Sequence, residues 1–137
     1  MGPPSSVIER KLGYLNLYIR DLDGFSALDG ATRRQSHYAI ERLLQLLCEA
    51  ASDLALQFLK AAGETLPASY REVFAALERR GELPPAMATD LIAACGMRNV
   101  LTHLYDEIDV ERVIAAVEPA VALYQAFADW CIEQPDQ

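Results

Sequence analysis

Metal-binding side chains are scarce in this chain, because only two of its 137 residues are histidine. Its three cysteines, Cys48, Cys95 and Cys131, are an odd number without a closely spaced pair. Zinc sites usually draw on closely spaced cysteines and histidines, so the sequence predicts no metal centre, and we expect no cofactor. Cys48 and Cys95 lie in apolar helical patterns, where a reduced, buried thiol is expected. This cysteine usage fits a reducing cytoplasm.

Long apolar runs and a basic excess are also missing. No run approaches the roughly 20 apolar residues needed to cross a bilayer, so we expect no membrane association. Aspartate and glutamate number 20 against 12 lysines and arginines, which gives a formal net charge of −8. Such a balance argues against a large sequence-blind nucleic-acid surface, and no DNA binding is expected. A small positive site, or one assembled from more than one subunit, remains compatible with it.

Helical periodicity dominates the sequence, and strand-like alternation, glycine-rich phosphate loops and internal repeats do not occur. We therefore predict an all-α bundle of about five helices, with residues 1–137 as a single domain and 133–137 as a frayed polar tail. The first two predicted helices should form an antiparallel pair, and the second should be the longest helix of the chain. Pro119 should kink the last helix, because proline lacks an amide donor and its ring clashes with the preceding turn.

A polar stripe recurs every four residues on the predicted second helix, at Glu41, Gln45, Glu49 and Asp53. One interpretation is a solvated helix face. The other is that Glu49 or Asp53 holds a buried arginine, since a desolvated guanidinium is costly without a carboxylate. His37, in the first turns of the same helix, is interpreted as a surface or packing histidine.

Chemistry is concentrated in residues 98–105, which read RNVLTHLY. A histidine titrates near neutrality, so His103 could take a proton from a ribose 2′-OH or return one to the leaving oxygen. An arginine such as Arg98 could bind the phosphate bidentately and stabilise its developing charge. Asn99 could orient either group, and Tyr105 could contact substrate or accept a modification.

The helical phase of this segment predicts an incomplete site in one copy. On an ideal helix Asn99 and His103 share a face, whereas Arg98 and His103 lie about 140° apart at 100° per residue. Either the helix loosens after Gly96, or a second copy completes the site across a two-fold axis. We favour the homodimer, which would place two such segments face to face.

The octet of residues 98–105 resembles the RN-x-x-x-H-x-Y motif of the HepT-like proteins of the HEPN superfamily. Tyr70 and Phe74 match that family's P-x-x-Y-x-x-x-F pattern, and the Glu49-x-x-x-Asp53 spacing also fits. The resemblance implies a homodimeric, metal-independent endoribonuclease toxin of a HepT–MntA type toxin–antitoxin pair.

In that family Arg and His cleave RNA, and here these residues are Arg98 and His103, with Asn99 as a polar helper. Tyr105 matches the tyrosine that an MntA-like nucleotidyltransferase antitoxin modifies with AMP, which silences the toxin.

Two other interpretations stay open on the sequence alone. The bundle could be a non-catalytic partner or substrate-binding subunit of a nucleotidyltransferase, with the octet as a docking surface. It could also be a plain structural bundle, in which buried contacts of Arg98 with a carbonyl and of His103 with a tyrosine only pin the last turn of a helix. That second case predicts tolerance of substitution at both residues.

Overall fold

The computed structural model describes residues 6–134, apart from the side chains of Ser6 and Tyr105, and all regular secondary structure in this part of the chain is helical. Its α-helices are α1 (Ser6–Asp23), α2 (Gly30–Gln35), α3 (His37–Ala61), α4 (Tyr70–Arg79), α5 (Pro85–His103), α6 (Val110–Ala115) and α7 (Val117–Glu133), and short 3-10 turns occupy Gly24–Ala27 and Tyr105–Glu107. The all-α prediction is confirmed. The prediction of about five helices is wrong, because residues 6–134 contain seven.

Both extra helices arise where a predicted long helix is divided in two. The chain bends at Ser36, between α2 and α3, where the backbone leaves the helical region (φ −104, ψ 18). The second division is at Ala116, and Pro119 is the third residue of the helix that follows it. Proline cannot donate to the carbonyl four residues earlier and its ring clashes there, so the disruption expected at Pro119 falls at the α6–α7 junction.

Short caps fix the ends of the helices that carry the site. Asp29 accepts a hydrogen bond from the Thr32 amide at 2.8 Å and so caps the start of α2. Ser69 accepts from the Glu72 amide at 3.3 Å and so places the first turn of α4. Pro85 opens α5, where the first-turn amides lack partners in any case.

The core lies where α1, α3 and α7 meet, and α4, α5 and α6 pack around α3. Lys11 near the start of α1 lies 3.7 Å from Asp53 near the end of α3, as the predicted antiparallel arrangement requires. Full burial of each large apolar side chain contributes roughly 1.5–3 kcal/mol. The largest fully buried ones are Phe74, Phe127, Leu15, Leu22, Ile40, Leu47, Leu54, Leu59, Leu77, Leu83, Leu91 and Val117. This packing holds α3, α4 and α5 in fixed positions relative to one another.

Arg33 on α2 secures the junction between α6 and α7. Its guanidinium donates to the carbonyls of Ser26, Leu28 and Ile114, each at 3.1 Å. It also donates to Glu118 Oε1 at 2.9 Å and pairs with the second oxygen of the same carboxylate. The hydrogen bond from Arg33 lowers the pKa of Glu118 from its ordinary 4.5 to about 2. One side chain of α2 therefore ties the 3-10 turn Gly24–Ala27 to α6 and α7.

Within residues 6–134, no helix is long and apolar enough to cross a membrane. The predicted polar tail begins at the last residue of α7, and residues 135–137 lie outside the described part of the chain.

Candidate functional site

Glu49 of α3 and Arg98 of α5 form an ion pair between neighbouring helices. Arg98 donates to Glu49 Oε2 through Nε at 3.3 Å and through Nη2 at 3.0 Å. The side chain of Arg98 is 18% exposed and that of Glu49 is 31% exposed, so the pair is largely withdrawn from solvent. Of the two carboxylates considered from sequence, the structure places Glu49 against the arginine. Asp53 pairs instead with Lys11.

The other members of the polar stripe on α3 also have partners. Gln45 donates through Nε2 to the carbonyl of Leu101 at 2.9 Å and so ties α3 to the last turns of α5. Glu41 is buried, and its Oε2 lies 2.5 Å from Nδ1 of His37. His37 is thus a packing histidine within α3, as interpreted from the sequence. Each side chain of this polar stripe therefore contacts another side chain or a carbonyl, and the stripe is not simply a solvated helix face.

Tyr70, the first residue of α4, covers Arg98 from another side. The guanidinium carbon lies 5.0 Å from the centroid of the tyrosine ring, within the range of a cation–π contact. Burial raises the pKa of Tyr70, so its hydroxyl is protonated at neutral pH. Arg98 is therefore held by a carboxylate and by an aromatic ring, and its Nη1 makes no hydrogen bond to any residue that the structure describes.

A cavity of about 380 Å³ opens beside this arginine, between the start of α4 and the middle of α5. Its polar wall consists of Ser69, Tyr70, Arg71, Arg98 and Asn99. Three of these side chains carry several hydrogen-bond donors, namely the two arginines and the asparagine. An anion or a polar planar group would fit such a wall better than an apolar ligand.

A second and larger cleft, of about 720 Å³, lies on the other side of Arg98, between α5 and the α6–α7 segment. Its walls include Met97, Val100 and Leu123, and its charged lining residues are Asp90, Arg98, Glu107, Asp109 and Arg112. Arg98 lines both clefts and therefore stands on the ridge that separates them.

His103 ends α5 and is exposed. Helix α5 is continuous from Pro85 to His103, so the loosening after Gly96 that would turn His103 toward Arg98 does not occur. On a regular helix the two side chains diverge by about 140°. Asn99 shares the face of His103, and within residues 6–134 no hydrogen bond or ion pair joins Arg98 to His103. A single copy holds both groups without bringing them together.

Tyr105 lies beyond the end of α5 and so does not continue a face of that helix. The helix ends at His103 because Leu104 adopts a non-helical backbone conformation (φ −127, ψ 41). Tyr105 then begins the 3-10 turn Tyr105–Glu107. Its side chain lies outside the described part of the structure, and its backbone places it two residues beyond His103.

The cysteines are buried thiols. Cys48 and Cys95 meet across α3 and α5 with their sulfur atoms 3.7 Å apart, and burial raises the pKa of Cys131 to about 12. Among the described side chains, no cluster of three or more His, Cys, Asp or Glu residues could hold a metal ion.

The family follows from comparison with known proteins. A family model described as "Ribonuclease HepT-like" matches residues 8–129. The chain belongs to this family. The resemblance inferred from the octet is confirmed, and so is the prediction of a ribonuclease at the level of the family.

Individual relatives agree with this assignment. The chain is 29% identical over 124 residues to the tRNA nuclease HepT of Aphanizomenon flos-aquae, covering 88% of this chain and 84% of that protein. It is 27% identical over 86 residues to the mRNA nuclease HepT of Shewanella oneidensis, covering 63% and 65% of the two chains. A solved structure of the tri-AMPylated HEPN toxin of S. oneidensis with its MNT antitoxin superposes with a TM-score of 0.87 at 22% identity, over 95% of this chain and 99% of that one.

Sequence reasoning missed two features of the site. Arg71 lines the smaller cavity beside Arg98, and Gln45 holds the carbonyl of Leu101. The four-residue repeat that contains Gln45 was a usable signal, because it places Gln45 on the same face of α3 as Glu49, and both contact α5. Arg71 gave no periodic signal, since its place in the site depends on how α4 packs on α5.

Proposed function

We propose that this chain is an endoribonuclease that needs no metal ion, with Arg98 and His103 as its catalytic residues and residues 1–137 acting as one domain. The observation that supports this most is the state of Arg98. Its guanidinium is oriented by Glu49 and Tyr70, yet its Nη1 is left without a described partner at the edge of an open cavity. A preoriented cation at a cleft is suited to a phosphate that gains negative charge.

The proposed chemistry is attack by the ribose 2′-OH on the adjacent phosphorus. His103 accepts the hydroxyl proton as the oxygen attacks, and the bond to the 5′ oxygen of the next nucleotide breaks. A protonated imidazole returns a proton to that leaving oxygen, which leaves a 2′,3′-cyclic phosphate on one product. Arg98 stabilises the phosphate oxygens during the exchange, and Asn99, on the face of His103, contacts the sugar or the phosphate.

We further propose that the active form is a homodimer whose two-fold axis brings His103 of one copy near Arg98 of the other. The continuous α5 supports this, because Arg98 and His103 diverge within one chain. A two-fold arrangement also doubles the local positive charge in a chain whose net charge is −8.

Control by a nucleotidyltransferase antitoxin is the remaining part of the proposal. The fold neighbour from S. oneidensis is an AMPylated toxin in complex with an MNT antitoxin. We propose that an MntA-like enzyme adenylylates Tyr105, two residues beyond His103. The added phosphate and nucleoside would repel and block an incoming RNA phosphate.

Incubation of the purified chain with total RNA, with and without a chelator, tests this function. Equal cleavage in both samples, with cyclic-phosphate ends on the products, is the expected result. Intact RNA, together with tight binding to a nucleotidyltransferase, would instead favour the alternative of a non-catalytic partner subunit. Cleavage that stops on chelation would contradict the metal-independent mechanism.

A further inference from the structure

The two arginines of the smaller cavity differ in how their charges are balanced. The charge of Arg98 is offset by Glu49, which accepts two hydrogen bonds from it. Arg71 is exposed and forms no ion pair or hydrogen bond with any residue in the described range 6–134. Arg71 lines the cavity together with Cys95, and its charge helps to lower the pKa of that thiol, after the larger effect of Cys48. Arg71 is therefore the unbalanced cation of this cavity.

The position of the cavity relative to His103 follows from the regular geometry of α5. Cys95, Asn99 and His103 recur every four residues and share one helix face. The cavity is lined by Cys95 and Asn99. His103 lies one turn further along, about 6 Å from Asn99 at 1.5 Å per residue. That distance is comparable with the spacing of neighbouring phosphates in a single RNA strand, so a strand along this face would place an adjacent nucleotide at the cavity.

We infer that Arg71 is a substrate-binding residue, which contacts the phosphate of the nucleotide next to the cleaved bond. This inference rests on the proposed ribonuclease function. The cavity of about 380 Å³ falls within the roughly 300–1,000 Å³ of small-molecule sites, so it is large enough to admit part of a nucleotide. Asn99 supplies a side-chain amide at the same wall. One face of the Tyr70 ring is already covered by the guanidinium of Arg98. Within this cavity, the electrostatic attraction of an RNA strand of any sequence then depends mainly on the charge of Arg71.

The alternative is that Arg71 is an ordinary solvated surface charge. The two cases differ in salt dependence, because a protein group that neutralises a phosphate releases counterions from the nucleic acid. Each contact to a single strand contributes about 0.7 to the slope of log affinity against log salt. A solvated arginine away from the strand contributes nothing to that slope.

The test measures binding of a fluorescent single-stranded RNA to the inactive His103→Ala protein across a salt series, with and without Arg71→Gln. Arg71→Gln should weaken binding about tenfold at low salt and reduce the slope by about 0.7. Arg71→Lys should restore most of the affinity, since lysine keeps the charge. Arg79→Gln, which removes an exposed arginine at the other end of α4, is the matched control and should bind as the parent does.

In the active protein, Arg71→Gln should raise KM about tenfold and leave kcat nearly unchanged, because the residue contacts a nucleotide that does not react. Unchanged affinity and an unchanged salt slope for Arg71→Gln would overturn the inference, and so would failure of the parent to bind RNA. The ribonuclease proposal fails separately, if the protein with all its native residues binds RNA but does not cleave it.

Discussion

Arg98 donates two hydrogen bonds to one oxygen of Glu49, from Nε at 3.3 Å and from Nη2 at 3.0 Å. This contact joins α3 to α5 and directs the free edge of the guanidinium toward the clefts on either side. A group that binds a reacting phosphate must be held in one orientation before the substrate arrives. We therefore propose that Glu49 is a positioning residue that acts through Arg98.

Glu49→Gln should lower the rate of RNA cleavage about tenfold, which corresponds to about 1.4 kcal/mol of barrier. The amide can still accept a hydrogen bond, but it loses the charge that orients Arg98. Asp53→Asn is the matched control, because Asp53 lies one turn along α3 and pairs with Lys11 at 3.7 Å. Cleavage rates and circular dichroism of both variants decide the matter. Equal losses in the two variants would remove the special role of Glu49.

Tyr70 provides a second test of how Arg98 is held. A cation–π contact at a partly buried site contributes roughly 0.5–2 kcal/mol. Tyr70→Leu removes the ring over the guanidinium and should slow cleavage about twofold to thirtyfold. Tyr70→Phe keeps the ring, which lies 5.0 Å from the guanidinium carbon, and should retain nearly full activity. If Tyr70→Phe lost as much activity as Tyr70→Leu, the hydroxyl rather than the ring would be the important group.

Pairs of inactive variants test whether the site is shared between two copies. In a dimer that combines one Arg98→Ala chain with one His103→Ala chain, one of the two shared sites keeps both native residues. Random mixing makes about half of the dimers mixed, so about a quarter of the full activity should return. Co-expression of the two variants followed by a cleavage assay measures this. Sites contained within single chains would give no recovery at all.

The Arg33–Glu118 pair makes stability depend on acidity. Because the hydrogen bond from Arg33 lowers the pKa of Glu118 from 4.5 to about 2, the pair stabilises the fold above pH 4.5. That contribution is lost as the pH falls through about 2. Glu118→Gln should therefore lower the midpoint of thermal unfolding at pH 7, and its difference from the native chain should shrink between pH 4.5 and 2. A difference that did not change with pH would show that the charge of Glu118 is unimportant.

Much of the fold could be predicted because apolar side chains repeat with helical period along the chain. Leu15, Ile19 and Leu22 repeat with this period on α1, and all three are buried. The number of helices was not predicted correctly. The bend at Ser36 leaves the apolar repeat unbroken, and the break at Ala116 depends on a proline three residues further on.

The candidate site was predictable in its residue types but not in its contacts. Periodicity placed Glu49 and Asp53 on one face of α3, yet only the packing of α3 on α5 selects Glu49 as the partner of Arg98. The end of α5 at His103 could not be read from the octet, because Leu104 is an ordinary helix former whose conformation here departs from the helix.

The central claim is that Arg98 and His103 carry out RNA cleavage without metal. Its most direct test is the cleavage rate of the purified His103→Ala protein on single-stranded RNA in the presence of a chelator, compared with the native chain under the same conditions. The account predicts a loss of at least about a hundredfold, as for removal of a general acid–base, with the helical content and the oligomeric state unchanged. Full cleavage by the His103→Ala protein would contradict it.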